Sequence, residues 1–242
     1  MKAMIFAAGM GTRLKPLTDT MPKALVPVGG KPLLQHVIEK LRDAGFDEII
    51  INIHHFGEQI IEFVVSENKF NIRIEFSDER DKLLDTGGAI KKASWFFDDG
   101  RPFLLHNVDI LSNIDLKQLY NSHLKSNSPA TLVCSDRQTS RYLLVDADNR
   151  LKGWINDKTG ETKSPIPFLQ PENYRKLAFS GIHILHPSIC NLMLDFPDRF
   201  SIIGFYLSLC DREEIACFRP KELKMMDVGK LNSLKDAEHF LY

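Results

Sequence analysis

The chain has 242 residues, of which 43% are hydrophobic and 26% charged, and its formal net charge is −1. This balance is typical of a globular protein with a sizeable core, and it disfavours the broad basic surface that nucleic-acid binding requires. The four cysteines form no CxxC pair, which disfavours a zinc site and favours free thiols in a reducing compartment. No apolar run approaches the about 18 residues that a membrane span needs, so we expect a cytoplasmic protein with neither a membrane nor nucleic acid as partner.

The first half of the chain alternates short apolar runs with helical periodicity. Leu34, Val37, Ile38 and Leu41 recur at i, i+3, i+4 and i+7, which indicates the buried stripe of an amphipathic helix. Further helices are predicted over residues 57–67 and 87–97, and strands over residues 4–6, 49–53, 72–76 and 103–108. Unbroken apolar strands that alternate with helices indicate a mixed, mainly parallel α/β sheet with helices on both faces.

The second half of the chain is less regular. Its pattern predicts strands over residues 130–135, 142–145, 151–155 and 179–185, a short strand and turn over 225–229, and helices over 202–210 and 233–241. A hairpin turn is expected at residues 148–149, between two of these strands. No repeat or linker interrupts the sequence, so we expect one α/β domain over residues 1–242 with a small antiparallel extension.

A glycine-rich turn follows the first predicted strand. Gly9 and Gly11 lie at the predicted carboxyl edge of the sheet, where open α/β folds bind ligands and where backbone amides can approach phosphate oxygens. The dinucleotide fingerprint G-x-G-x-x-G fails because Leu14 occupies its last position, and no G-K-[ST] follows to make a P-loop. What remains is Arg13, whose planar guanidinium suits bidentate contact with phosphate. The alternative is an ordinary turn with a solvated arginine.

Charged residues at later points in the chain could complete a phosphate site. Lys23 follows a proline that stiffens its backbone, although a surface lysine is the simpler interpretation of this residue alone. Asp109 and Asp227 each end a predicted strand, where a carboxylate beside phosphates suggests a Mg²⁺ ligand and a cap or loop position is the alternative. At residues 85–89, DTGGA opens a helix whose first turn could receive an anion or a planar base.

These motifs together resemble the signature of the sugar-1-phosphate nucleotidyltransferase family. The resemblance is carried by AAGMGTRL at residues 7–14, PLT at 16–18, PKAL at 22–25, KPL at 31–33, TGG at 86–88, SGI at 180–182 and DVG at 227–229. It implies a Rossmann-like nucleotidyltransferase fold of the GT-A-like type, with residues 1–110 as the nucleotide-binding half and 111–242 as the sugar-phosphate-binding half.

The resemblance also implies a reaction, NTP + sugar-1-phosphate → NDP-sugar + pyrophosphate, with Mg²⁺ as the cofactor. UTP is the favoured nucleotide, the candidate sugars are N-acetylmuramate-1-phosphate and mannose-1-phosphate, and the expected state is a monomer or a homodimer. Arg13 and Lys23 would be catalytic, with Arg13 on the β- and γ-phosphates and Lys23 on the α-phosphate and the incoming sugar phosphate. The nucleotide would be bound by Ala8, Gly9, Gly11, Thr12, Arg13, Gly87, Gly88 and Asn107. The sugar phosphate would be bound by Lys23, Thr86, Ser180 and Gly181, and Mg²⁺ by Asp109 and Asp227.

Two departures from the family pattern keep the base and the sugar open. Val108 precedes Asp109 where glycine is usual, and WINDK at residues 154–158 stands where thymidylyltransferase relatives have a Glu-Lys-Pro-like segment. A cytidylyltransferase acting on an amino-alcohol phosphate would use the same glycines, lysine and aspartates. It would add an aromatic cage, to which Trp154, Tyr142 and Phe179 could contribute. A non-catalytic sensor that binds an NDP-sugar is the alternative of another class.

Overall fold

The computed structural model describes residues 1–241, and the last residue of the predicted 1–242 domain lies outside the described residues. The strands are β1 (Lys2–Phe6), β2 (Pro27–Val28), β3 (Lys31–Pro32), β4 (Glu48–Ile53), β5 (Arg73–Asp78), β6 (Phe103–Asn107), β7 (Ile110–Ser112), β8 (Ala130–Ser135), β9 (Arg141–Val145), β10 (Leu151–Asn156), β11 (Glu161–Lys163), β12 (Arg175–Leu185), β13 (Ala216–Phe218) and β14 (Met225–Asp227). The helices are α1 (Leu33–Asp43), α2 (Gly57–Ser66), α3 (Asp85–Ala93), α4 (Leu116–Ser126), α5 (Ser188–Leu192), α6 (Ile202–Leu209) and α7 (Leu231–Leu241).

A mixed sheet of ten strands runs through the molecule. The strands of its first half are parallel. Strand β1 lies between β4 and β6, and β5 extends the sheet beyond β4. Ile5 at the centre of β1 pairs with Ile51 on one side and His106 on the other. The carboxyl ends of β1, β4 and β6 therefore meet at one edge of the sheet, as predicted from the order of strands and helices.

Strand β12 joins the two halves of the sheet. It runs antiparallel to β6 near its end and to β9 near its start, and it also pairs with β8. Strands β9, β10 and β11 continue the antiparallel part, whereas β13 is parallel to β8. The predicted mixed sheet is confirmed, and its antiparallel part has more strands than the sequence pattern indicated.

Two apolar clusters cover the two faces of this sheet. Successive residues of a strand point to opposite faces, so Ile5 and Met4 of β1 belong to different clusters. On the face of Ile5, the stripe of α1 packs with residues of α2 and α4. On the face of Met4, α3 and α6 supply Ile90 and Phe205. Burial of each aliphatic side chain stabilises the folded state by about 1.5–3 kcal/mol. This stabilisation explains why helices cover both faces of the sheet, as predicted.

Several elements differ from the sequence-based expectation. Helix α3 begins at Asp85 and ends at Ala93, whereas residues 87–97 were expected, and residues 94–96 form a single tight turn. Helices α4 and α5 and the three-residue strands β7, β11 and β13 were not expected at all. Among the helices of residues 1–241, none is both long and apolar enough to cross a bilayer.

Candidate active site

A cavity of about 260 Å³ opens at the carboxyl edge of the parallel strands. It is bordered by the residues that follow β1, by the end of β6, and by the start of α3. The predicted site residues that line it are Ala8, Gly9, Lys23, Thr86, Asn107 and Asp109. Residues far apart in sequence thus converge at the position where the strand pattern predicted a site.

The glycine-rich turn is held in place by the strands beside it. The Ala7 amide donates a 2.7 Å hydrogen bond to the Asn52 side-chain oxygen on β4, which fixes the exit of the chain from β1. A Cβ atom on Gly9 would meet nothing within 4 Å, so this backbone faces open space that a ligand can enter. Gly11 has φ 64, and a Cβ there would lie 2.8 Å from the Thr18 methyl carbon. Gly11 therefore allows the left-handed backbone of the turn, whereas Gly9 allows a ligand to approach the backbone closely.

Lys23 and Asp109 form an ion pair in the cavity wall. Lys23 begins a short turn after Pro22, and it is 8% exposed in spite of its charge. Its Nζ atom donates to Oδ2 of Asp109. Asp109 follows β6, whose register with β1 is continued by a 3.2 Å bond from the Val108 amide to the Phe6 carbonyl. A lysine held this way is not a surface lysine.

Asp227 comes to the same region through a small two-stranded sheet. Strand β14 pairs antiparallel with β7, which places Asp227 opposite Ile110. The Val228 amide also donates a 2.8 Å hydrogen bond to the Asp109 carbonyl. Within residues 1–241, no three His, Cys, Asp or Glu side chains form a metal-binding cluster. The backbone bond from Val228 links the two segments that carry Asp109 and Asp227.

Arg13 lies against the Asp227 turn rather than in the cavity. A Cβ atom placed on Gly229 would lie 2.6 Å from Asp227 Oδ1 and 2.8 Å from Arg13 Nη2. Arg13 itself is exposed, while its neighbour Leu14 is fully buried in the core. The sequence analysis expected Arg13 on the β- and γ-phosphates and did not indicate that it lies beside Asp227.

Ser180 and Gly181 lie behind the cavity wall and not on its surface. Gly181 has φ 71, and a Cβ atom there would lie 2.7 Å from the Asn107 side-chain nitrogen. Ser180 is 2% exposed, and its hydroxyl has no hydrogen-bond partner within the described part of the chain. In this structure, Gly181 gives Asn107 the space it occupies in the wall of the cavity.

Gly87 and Gly88 are also absent from the cavity surface, whereas Thr86 lines it. Both glycines are buried, and their amides donate to the Phe200 carbonyl at 2.9 and 3.3 Å. Amides engaged in this way are not free to hold an anion. That these glycines border the nucleotide base stays a prediction, whereas their amides are already engaged by Phe200.

Other residues that line the cavity were missed by the sequence analysis. Glu79 is fully buried, and it accepts hydrogen bonds from the Asn52 side chain at 2.8 Å and the Leu84 amide at 3.0 Å. Burial raises the pKa of the Glu79 carboxyl above its usual range. Arg199 enters the cavity from the second half of the chain. The sequence offered an indication for Asn52, because this polar residue interrupts an otherwise apolar strand. Nothing in the sequence pattern indicated that Arg199 would line the cavity.

The fold and this edge of the sheet define a nucleotidyltransferase class of protein, and comparisons with known proteins identify the family. The nucleotidyl transferase family model matches residues 2–242, so the chain belongs to this family, and the resemblance seen in the motifs is confirmed. Its relatives belong to the class of sugar-1-phosphate nucleotidyltransferases.

Three relatives illustrate the similarity. The chain is 42% identical over 194 residues to an N-acetylmuramate alpha-1-phosphate uridylyltransferase of Neisseria meningitidis serogroup B, which covers 77% of this chain and 83% of that protein. It is 33% identical over 239 residues to a mannose-1-phosphate guanyltransferase of Yarrowia lipolytica, covering 95% of this chain and 61% of the fungal protein. The chain thus spans about three fifths of that relative's length. Among solved structures, HddC from Yersinia pseudotuberculosis complexed with GMP-PN matches with a TM-score of 0.77 at 25% identity, covering 100% of this chain and 99% of that one.

Proposed function

We propose that this chain transfers a nucleoside monophosphate from an NTP to a sugar-1-phosphate and releases pyrophosphate, with UTP as the favoured nucleotide. The observation that carries the proposal is the buried Lys23–Asp109 pair beside the open backbone of Gly9. A cation and a carboxylate at this position suit a reaction that brings two phosphates together. Such a reaction depends mainly on positioning and charge stabilisation.

The donor set fits a magnesium ion. Mg²⁺ prefers oxygen ligands and is commonly held by one or two carboxylates together with substrate phosphates, and Asp109 and Asp227 supply two carboxylates on hydrogen-bonded segments. When bound, the ion would neutralise phosphate charge and orient the triphosphate. Lys23 would then be released from Asp109 to hold the α-phosphate and the acceptor phosphate. Arg13 would hold the β- and γ-phosphates.

The candidate sugars are N-acetylmuramate-1-phosphate and mannose-1-phosphate, because relatives of both kinds resemble the chain. We propose residues 1–110 as the nucleotide half and 111–242 as the sugar-phosphate half, acting as a monomer or a homodimer. The four cysteines are free thiols, which supports a reducing compartment such as the cytoplasm.

The amino-alcohol alternative has less support. Trp154 and Phe179 line a common cleft of about 420 Å³, but Arg137, Arg141 and Lys163 line it as well. The Lys163 ammonium already lies 5.2 Å from the centre of the Trp154 ring. These cations would repel a quaternary ammonium, so the aromatic residues do not form a cage for one.

Pyrophosphate release tests the proposal directly. The protein is incubated with Mg²⁺, each of the four common NTPs and a panel of sugar-1-phosphates, and the nucleotide sugar is identified by mass spectrometry. At least one pair should react, and the Asp109→Asn variant should lose the activity. The matched control is Asp115→Asn, because Asp115 caps α4 through the Gln118 amide and asparagine caps equally well. A folded wild-type protein that binds nucleotide sugar but never releases pyrophosphate would favour the sensor instead.

A further inference from the structure

A second cavity, of about 800 Å³, lies between the end of β8 and the segment that connects β13 to β14. Its walls are residues 134–137 and 219–225, and Phe240 of α7 completes the lining. Among the described residues, none lines both this cavity and the one that holds Lys23 and Asp109. Its volume is within the range of about 300–1,000 Å³ that is usual for small-molecule sites. We call it the β13–β14 cavity.

The lining of the β13–β14 cavity is positively charged. Four cations and two carboxylates give it a net charge of +2, and these residues are Arg137, Arg219, Lys221, Lys224, Asp136 and Glu222. Within residues 1–241, one of the four cations has an ion-pair partner, because Arg219 Nη2 lies 2.6 Å from Asp136 Oδ2. The Ser135 hydroxyl oxygen on the same wall is buried and has no hydrogen-bond partner in the described part of the chain. Three unpaired cations and an unused hydroxyl donor suit an anionic ligand.

The backbone that carries two of these cations is held in place by Asn113, which follows β7. The Asn113 side-chain nitrogen donates to the Glu222 carbonyl at 3.0 Å, and its side-chain oxygen accepts a 2.8 Å bond from the Lys224 amide. The Asn113 amide also donates to the Lys224 carbonyl at 3.1 Å. Glu222 has φ 69, a conformation that residues other than glycine seldom adopt. These bonds therefore fix a turn that the segment would not favour by itself.

A short two-stranded sheet connects this cavity to the candidate metal site. Strands β7 and β14 pair over three residues, with Asn113 and Lys224 just beyond one end of the pair. Asp109 and Asp227 lie at the other end, which is about 10 Å away at the usual rise of a strand. A ligand that binds Lys224 therefore acts on the same strand that ends at Asp227.

We propose that the β13–β14 cavity is a regulatory site for a phosphorylated metabolite with at least two negative charges, bound by Arg137, Lys221 and Lys224. A guanidinium and two ammonium groups are typical phosphate ligands. Leu223 and Phe240 supply apolar surface for the ring that carries the phosphates. Nucleotides and sugar phosphates share this chemistry, and the test distinguishes them. The effect of the ligand on turnover rests on the proposed function, whereas its binding does not.

Calorimetry counts the binding events without turnover. UDP and glucose 1,6-bisphosphate are titrated separately, without Mg²⁺, into the wild type and the double variant Lys221→Gln/Lys224→Gln, and thermal unfolding verifies that both proteins are folded. We expect the wild type to show one binding event more than the double variant with at least one probe. Lys221→Gln alone should weaken that event at least threefold. Equal numbers of events in the two proteins with both probes would overturn the site.

The matched control is the double variant Lys117→Gln/Lys125→Gln. It removes the same charge from exposed positions of α4 that line neither cavity. The control should retain every binding event of the wild type. Loss of the additional event in the control as well would show that the net charge of the protein, and not the β13–β14 cavity, determines binding, and would contradict the proposal.

Pyrophosphate release then tests regulation. With saturating substrates, so that competition in the active site does not contribute, the bound probe should change kcat at least threefold in the wild type and less than 1.5-fold in Lys221→Gln/Lys224→Gln. Without the probe, the two proteins should have the same kcat within twofold. An unchanged wild-type kcat at saturating probe would overturn the regulatory role. Failure of the proposed function would appear separately, as a wild type that binds the additional probe molecule and never releases pyrophosphate.

Discussion

Replacing Gly229 by alanine should impair catalysis while leaving the fold intact. The added methyl carbon would lie 2.6 Å from Asp227 Oδ1 and 2.8 Å from Arg13 Nη2, whereas ordinary contact begins near 3.4 Å. Each atom must therefore retreat by about 0.6–0.8 Å, and both are the ends of flexible side chains. A misplacement of about 1 Å in a reacting site can cost roughly 100-fold in rate, or about 2.7 kcal/mol of activation free energy.

We therefore expect kcat to fall about 10- to 100-fold, measured as pyrophosphate release with saturating substrates. The free energy of unfolding should change by less than about 1 kcal/mol, because no backbone atom has to move. Gly204→Ala is the matched control, since its Cβ would meet only Ser201 Cβ, at 3.9 Å. A Gly229→Ala protein with the kcat of the wild type would refute the reasoning that Arg13 and Asp227 must keep their present spacing.

Two further predictions concern buried charge. Lys23→Met leaves Asp109 without its partner, so it should lower kcat by roughly 100-fold or more and the free energy of unfolding by about 1–3 kcal/mol. Adding Asp109→Asn should restore stability but not activity. Urea unfolding and rate assays measure both, and a double variant no more stable than Lys23→Met would contradict the prediction. Burial lowers the pKa of His106 to about 4 and that of His183 to about 3, so the unfolded chain, with imidazoles near 6.5, binds more protons below that pH. Acidification from pH 6.5 to 5 should therefore cost about 1.6 kcal/mol of stability for each imidazole, and a pH slope in urea unfolding that His106→Gln does not reduce would contradict this.

The parallel half of the fold could be predicted because its signals are local. Strand β4 is a run of apolar residues bounded by polar ones, and α1 carries its whole buried stripe within one helix. Helix α4 begins at a cap, since the Asp115 carboxylate accepts a 2.9 Å bond from the Gln118 amide. The helix behind this cap was missed because Tyr120 and His123 complete its buried face, and polar atoms weaken the apolar pattern.

The antiparallel half was harder to predict for a different reason. Strands β7, β11 and β13 have three residues each, which is too short for an alternating pattern to stand out. Their pairing is decided by tertiary contacts, such as the parallel contact of β13 with β8. The sequence predicted Lys23 because it follows a proline, and Asp109 because it ends a predicted strand. Glu79 and Arg199 reach the cavity through tertiary contacts, which no local pattern indicated.

The two glycines at the start of α3 have a packing role that the sequence motif alone did not indicate. As a sequence, TGG at a helix start is equally compatible with an anion site and with close packing. The structure shows close packing, because the amides of Gly87 and Gly88 donate to the Phe200 carbonyl and residues 198–200 fill the space that side chains at these positions would need. The motif acts on the cavity indirectly, by fixing the backbone that carries Arg199. The cavity is therefore built by both halves of the chain, and its cation from the second half depends on glycines in the first.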